Sequence, residues 1–294
     1  MKKGLRQWGQ ALPFIGPALL LLALFVLYPL GKNIAISFST YDILQDQMTE
    51  FVGLRHYADL FRSGKFLTAM RNTLLYTLVT VPGQMLPGLI VACLLQSIRK
   101  GQAFFKVLCY LPVLTSWVIV SLVFRYLFMS GKSGLVNYAL MQIRLLSKPV
   151  AWLQNEWTAN AVLWIFGIWK GVGWVMIVYL AGLQGVPTEV YEAAQIDAAT
   201  PAQVFWRVTV PMVRNTTLFL LTVLSIGAFG AYIHVMMITE GAPLGTTNQL
   251  MNLMYNTAFS KYNFGSAAAQ GVVMGVIILG LTLLQRRLTF ENIN

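Results

Sequence analysis

Long apolar stretches, separated by shorter polar ones, set the pattern of this chain. They run over roughly 11–36, 71–96, 104–129, 158–183, 215–238 and 266–285. Each is near or above the ~20 residues that cross a hydrocarbon core as a helix. Each is also too long and too evenly apolar for a strand. Backbone N–H and C=O groups in lipid need partners within their own segment, which selects helix. The pattern predicts an all-α membrane protein with about six transmembrane helices, organised as a single domain over 1–294. Pro82, Pro87, Gly88 and Pro112 fall inside these stretches. Membrane helices tolerate such residues, and kinks are expected there. The connections at 37–70, 130–157 and 239–265 are mixed in character and suited to cap the outer face.

The segment between the fourth and fifth stretches is different. "YEAAQIDAATPAQVFWRVTVP", residues 191–211, is short and polar but rich in helix formers. Pro187 suits the first position of a helix, where a missing N–H costs nothing. Glu189 and Glu192 lie in or near its first turn, where the helix dipole favours them. Thr200, Pro201 and Gln203 then form a capping-box pattern that starts a second helix. Residues 186–208 are therefore expected to be two short helices with a bend at Thr200. Such a pair could lie on lipid as an amphipathic hairpin. Its alanines and scarce basic residues fit docking into a groove of another protein better.

Composition agrees with the membrane reading. Hydrophobic residues make up 57% of the chain and charged ones 11%, against roughly 25% charged in soluble domains. The net charge of +11 is spread between loops rather than gathered on one face, which argues against nucleic acid as a partner. It fits cytoplasmic loops and anionic lipid. Lys2, Lys3 and Arg6 flank the first stretch, and short inner segments carry Arg99, Lys100, Lys106, Arg207, Arg214, Arg286 and Arg287. This favours cytoplasmic N- and C-termini. The first stretch follows a basic start like a signal peptide. It is long enough for a full span, and no clear small-residue cleavage site follows it, so it is read as a retained helix. Cys93 and Cys109 lie in apolar runs and form neither a disulfide framework nor a zinc pattern.

Several chemistries are set aside by pattern. Gly131-Lys132-Ser133 lacks the earlier glycine of a phosphate-binding loop, because Tyr126 stands there. No ATP site is expected on this chain. His56 and His234 are isolated, and no His/Cys/Glu cluster has ligand spacing, so no metal is expected. His234 is read as a packed or cavity-facing histidine. No carboxylate sits near the middle of a span, which counts against a membrane enzyme acting on a lipid-linked sugar and against a proton-coupled secondary carrier. Two related halves, common in secondary carriers, are not seen.

Residues 191–211 resemble the Glu-Ala-Ala loop of permease subunits of binding-protein-dependent ABC importers, in particular the maltose-type, sugar-importing branch. Glu192, Ala193, Ala194, Val208 and Pro211 stand at the family's spacing; Ala198 stands where the family usually has glycine. "FVGLRHYADLF" (51–61), "RNTLLYT" (71–77), "LAGLQGVPTEVYEAA" (180–194) and the stretch 237–269 extend the resemblance over most of the chain. It implies an inner-membrane, multi-pass subunit that forms half of a pathway for an oligosaccharide or polyol, with glycerol phosphate as an alternative cargo. It also implies a second, different permease, two ATPase subunits that bind ATP and Mg, and an extracellular solute-binding protein. The chain itself would be non-catalytic and bind no cofactor. ATPase coupling would fall to 186–211, with Glu192, Ala193, Ala194, Asp197, Ala198, Arg207 and Pro211 as its residues.

Candidate cargo contacts come from the fourth stretch. Lys170 lies near its middle, where a lysine is costly unless it faces protein or water. Trp169, Gly171 and Trp174 surround it. Tryptophan faces can cover the apolar face of a sugar ring, and glycine leaves room. Lys170 and Trp174 share a helical face, with Trp169 on another. Thr115, Ser116 and Trp117 of the third stretch lie in a comparable register, and the resemblance implies cargo contacts on these stretches and on the fifth, where Ser225 and Tyr232 are the polar candidates. The competing reading is that the tryptophans pack helices together and Lys170 bonds a backbone carbonyl.

Overall fold

The computed structural model describes residues 13–98 and 100–290. The basic residues Lys2, Lys3 and Arg6, the start of the first expected span, Arg99, the Arg286 side chain and residues 291–294 lie outside the described part. The described chain is almost wholly helical, as the apolar pattern predicts. It groups into two compact units. One takes the chain up to Ser63 together with Met254–Val276. The other takes Gly64–Leu253 and the chain from Ile277 onward.

In the first unit, α1 spans Pro13–Ser37, and none of its most apolar window is buried. It widens into π geometry at Ala23–Leu27. The connection that follows is ordered. Strands β1 (Ser39–Asp42) and β2 (Gln47–Phe51) pair antiparallel, with a bulge between Thr40 and Tyr41. Asp46 turns the hairpin in the left-handed region, at φ +50°. Its carboxylate accepts a hydrogen bond from Lys32 Nζ at 2.8 Å and another from the Tyr41 hydroxyl. Those two donors hold the Asp46 carboxyl below the usual carboxylate range. Helix α2, Arg55–Arg62, docks through the Tyr57 hydroxyl, 2.6 Å from Ser37 Oγ, and through His56 Nε2, 3.1 Å from the Ser39 carbonyl.

The second unit is built on α3 (Gly64–Ser97) and α7 (Glu156–Gln184). Their buried faces carry Val81, Leu89, Leu163, Phe166, Val175 and Met176. Contact is close because Gly88 has no side chain: a Cβ there would lie 2.6 Å from Val175 Cγ1. Pro82 and Pro87 sit inside α3, which continues past both.

The third expected span, 104–129, is not one helix. α4 (Gln102–Leu114) and α5 (Trp117–Leu127) meet at 88°. Pro112 lies in the last turn of α4, and Thr115 and Ser116 are extended. Proline has no N–H to continue the ladder, and its ring crowds the preceding turn. After α6 (Leu135–Gln142), the 130–157 connection is organised by Asn137, which is fully buried. Its amide donates to the Gly131 and Val150 carbonyls, and its oxygen accepts from Val150 N and Trp152 Nε1.

Beyond α7 come α8 (Thr188–Ile196), α9 (Pro201–Met212) and α10 (Arg214–Phe229). α9 and α10 meet at 69°. The fifth expected span, 215–238, is helical only as far as Phe229. Gly230 ends the helix, and a separate π turn follows at Val235–Thr239. The loop after it is pinned to α3, where the Asn72 amide donates to the Asn248 carbonyl at 3.0 Å and Leu250 N donates to Thr73 Oγ1 at 2.9 Å. α11 (Leu250–Tyr255) and α12 (Phe264–Phe290) complete the chain.

Candidate functional site

Two features stand out, an exposed helical elbow and a cavity between helices. The elbow is α8–α9. Its bend is set by hydrogen bonds within ten residues. Ala199 N donates to the Ala194 carbonyl and Ala198 N to the Gln195 carbonyl, both at 3.0 Å. This pair closes the end of α8 as a Schellman motif, with Ala198 in the left-handed position at φ +52°. Thr200 then opens α9. Its backbone N–H donates to Gln203 Oε1 at 2.8 Å, and its hydroxyl oxygen accepts from Gln203 N at 3.4 Å. The glycine usual at position 198 in the resembling family therefore serves the backbone turn.

Glu192, Ala193, Asp197, Arg207 and Pro211 are exposed on the elbow, and Ala194 is buried beneath it. Among the described residues, neither Glu192 nor Asp197 forms an ion pair. Ile196 is 86% exposed and Trp206 60% exposed. Sequence reasoning passed over these two, though a large apolar residue beside charged ones in a polar elbow is a legible sign of a covered surface.

The cavity lies in the second unit and has a volume of about 450 Å³. Tyr76, Thr80 and Gln84 of α3 form one wall. Lys170, Gly171 and Trp174 of α7 form another, with Trp117 at the start of α5 and Tyr232 and His234 after α10. Gly171 lets the Gln84 amide lie against its backbone, in the place a Cβ would take.

Lys170 is 2% exposed. Its Nζ donates to the carbonyls of Pro112 at 2.6 Å and Thr115 at 2.7 Å, and to Thr115 Oγ1 at 3.2 Å. It also lies 5.1 Å from the Trp117 ring centre. The ammonium therefore closes the C-terminal end of α4, where helix carbonyls lack partners and the dipole is negative. Lys170 lines the cavity as expected, but its three protons are turned to the helix break. Gly173 lets the two helices touch there, since a Cβ on it would strike the Cys109 carbonyl.

The other expected contacts divide. Trp174, Gly171, Trp117 and Tyr232 line the cavity. Thr115 reaches it only through Lys170. Trp169 points away, with its ring 5.5 Å from Phe124. Ser116 is exposed at the start of α5. Ser225 accepts from Gln285 Nε2 at 3.2 Å and lines a second, more apolar pocket of about 630 Å³ with Leu78, Met85 and Leu221. Alternating helix faces separate these residues. Sequence reasoning missed Tyr76, Thr80 and Gln84. Their spacing of four residues makes a polar stripe on one face of an apolar helix, which was readable. Among the described residues, no three of His, Cys, Asp and Glu gather as a metal site.

Residues 61–290 match the family described as the binding-protein-dependent transport system inner membrane component. The chain belongs to that family. It is 32% identical to the probable ABC transporter permease protein YurN of Bacillus subtilis, over 93% of this chain and 94% of the relative. It is 32% identical to the arabinooligosaccharides transport system permease protein AraP of Halalkalibacterium halodurans, over 94% and 86%. A subunit of a bacterial ABC transporter that imports the acidic polysaccharide alginate has the same fold, with a TM-score of 0.83, 22% identity and 99% of each chain covered. The transport subunit thus has its elbow and its cavity in one membrane unit.

Proposed function

We propose that this chain is one of two permease subunits of an ATP-driven importer that passes an uncharged oligosaccharide or polyol across the inner membrane. The observation that carries the reading is the cavity lining: Tyr76, Trp117, Trp174 and Tyr232 offer ring faces, Thr80 and Gln84 offer polar groups, and no carboxylate lies among them. Such a wall suits a sugar, whose ring faces are apolar and whose edges carry hydroxyls. The names of relatives support it, since they include arabinooligosaccharide and lactose permeases. Lys170 spends its donors on carbonyls, which favours a neutral cargo over a glycerol phosphate.

The remaining parts of the machine follow from the family. A second, different permease would close the pathway, two ATPase subunits would receive the α8–α9 elbows and bind ATP and Mg, and a solute-binding protein would deliver cargo from outside. In this arrangement the elbow and both termini are cytoplasmic, and the chain takes no part in ATP chemistry. The test is reconstitution of the four-part complex in liposomes with labelled lactose, arabinotriose and maltotriose. Uptake should require ATP on the elbow side and binding protein on the other. Uptake that proceeds without ATP, driven by an ion gradient, would establish a secondary carrier instead.

A further inference from the structure

We propose that His234 is the hydrogen-bonding anchor for one hydroxyl of the sugar in this cavity. The proposal rests on the reading of the chain as a sugar permease and adds to it a residue that sets specificity. His234 is 2% exposed, and its Nε2 has no hydrogen-bond partner. Buried polar atoms without partners are uncommon, and each calls for an explanation. Other such atoms occur here, on Asn160, Trp164, Gln249, Asn252 and Gln270. None of those residues lines the cavity, whereas His234 does.

The imidazole is also held in place. Phe166 stacks on it at 5.3 Å and 14°, with Tyr76 at 5.2 Å and Trp117 at 5.9 Å between ring centres. A ring packed on three others cannot turn freely to seek a partner. Nε2 is closed off in this structure, so cargo reaches it by displacing the half-exposed Trp117 ring beside it. A sugar hydroxyl then suits either tautomer, because a hydroxyl both donates and accepts. The neighbouring Tyr76 and Trp117 faces would meet the apolar side of the same ring. Lys170, which also lines the cavity, already has its donors bonded, whereas His234 Nε2 is buried without a partner. A carboxylate or phosphate is not required to complete it. A neutral hydroxyl is enough.

The experiment uses the assembled complex of permeases and ATPases. Uptake into liposomes first identifies which of lactose, arabinotriose and maltotriose the unsubstituted transporter carries best. That sugar, radiolabelled, and its monodeoxy derivatives are then titrated against the detergent-solubilised complex without binding protein, so that affinity reports the cavity. His234→Leu should weaken binding about tenfold, the size of one neutral hydrogen bond lost in a dry site, and His234→Gln should stay within about threefold. One monodeoxy sugar should bind the unsubstituted complex about tenfold more weakly yet lose nothing further in His234→Leu, which a packing role would not produce. His234→Phe keeps a stacked ring and replaces His234→Leu if that variant does not assemble. Unchanged affinity in His234→Leu or His234→Phe would overturn the proposal. So would equal weakening by the polar and apolar variants, or the absence of sugar binding by a complex that still transports. A complex that transports none of the sugars overturns the importer reading as well.

Discussion

Ala198 and Lys170 show how single positions carry this structure. Ala198 is an L-residue at φ +52°, a conformation that costs about 1–2 kcal/mol for residues with a Cβ. Ala198→Gly should relieve that cost, less what the more flexible unfolded chain gives back, for a net gain of up to ~1 kcal/mol. Thermal unfolding of the purified permease pair should shift upward, and a lower midpoint would contradict the Schellman assignment. Lys170 has the opposite sign. Lys170→Met keeps length but leaves the Pro112 and Thr115 carbonyls without their donor, a loss of about 1–3 kcal/mol. Amide exchange at 113–118 should accelerate while α7 stays protected. Equal protection there would mean that the break between α4 and α5 holds without the ammonium.

At the level of helices, α8 and α9 form a rigid exposed corner, and α3 and α7 a tightly packed pair. Glu192 is exposed and without an ion pair among the described residues. A basic residue on the ATPase would find it available for a charge-assisted hydrogen bond, and removing one partner of such a bond at a covered contact costs about 2–5 kcal/mol. Glu192→Ala should release or uncouple the ATPase while the permease pair keeps its melting temperature. Normal ATPase capture by the variant would show that Glu192 only favours its own helix terminus, worth about 1 kcal/mol or less. For the helix pair, Gly88→Leu places a side chain where Val175 already sits, and overpacking of this kind costs about 1–3 kcal/mol. Yield and melting temperature of the assembled complex should both fall. A variant as stable as the parent would refute close packing at that point.

For the protein as a whole, the proposed importer reading puts residues 37–70 outside the membrane and the elbow inside. In a chain freed of Cys93 and Cys109, a cysteine at position 50 of the β2 strand should react with an impermeant reagent on intact cells. One at position 195 should react only after the membrane is opened. The reverse pattern would invert the topology. The basic residues that motivate this orientation through the first helix lie outside the described part. The prediction therefore leans on the proposed docking of the elbow to a cytoplasmic ATPase.

The apolar pattern and the capping residues were enough to reveal a helical membrane protein, its approximate spans, the bend at Thr200 and the pair of short helices around it. Those features depend on interactions a few residues apart: ladder bonds, a capping box, a Schellman turn. The chain alone also marked the Lys170 region as special, because a lysine in an apolar span must find partners. It could not say which. The partners lie 55 and 58 residues away at a helix break, and the break turned an expected single span into two helices. The cavity and the unmet nitrogen of His234 likewise arise only when α3, α5, α7 and the segment after α10 come together. Helix and cap are chosen by local backbone chemistry. Which side chains share a cavity, and which are left without a partner, is chosen by packing between segments far apart in the chain.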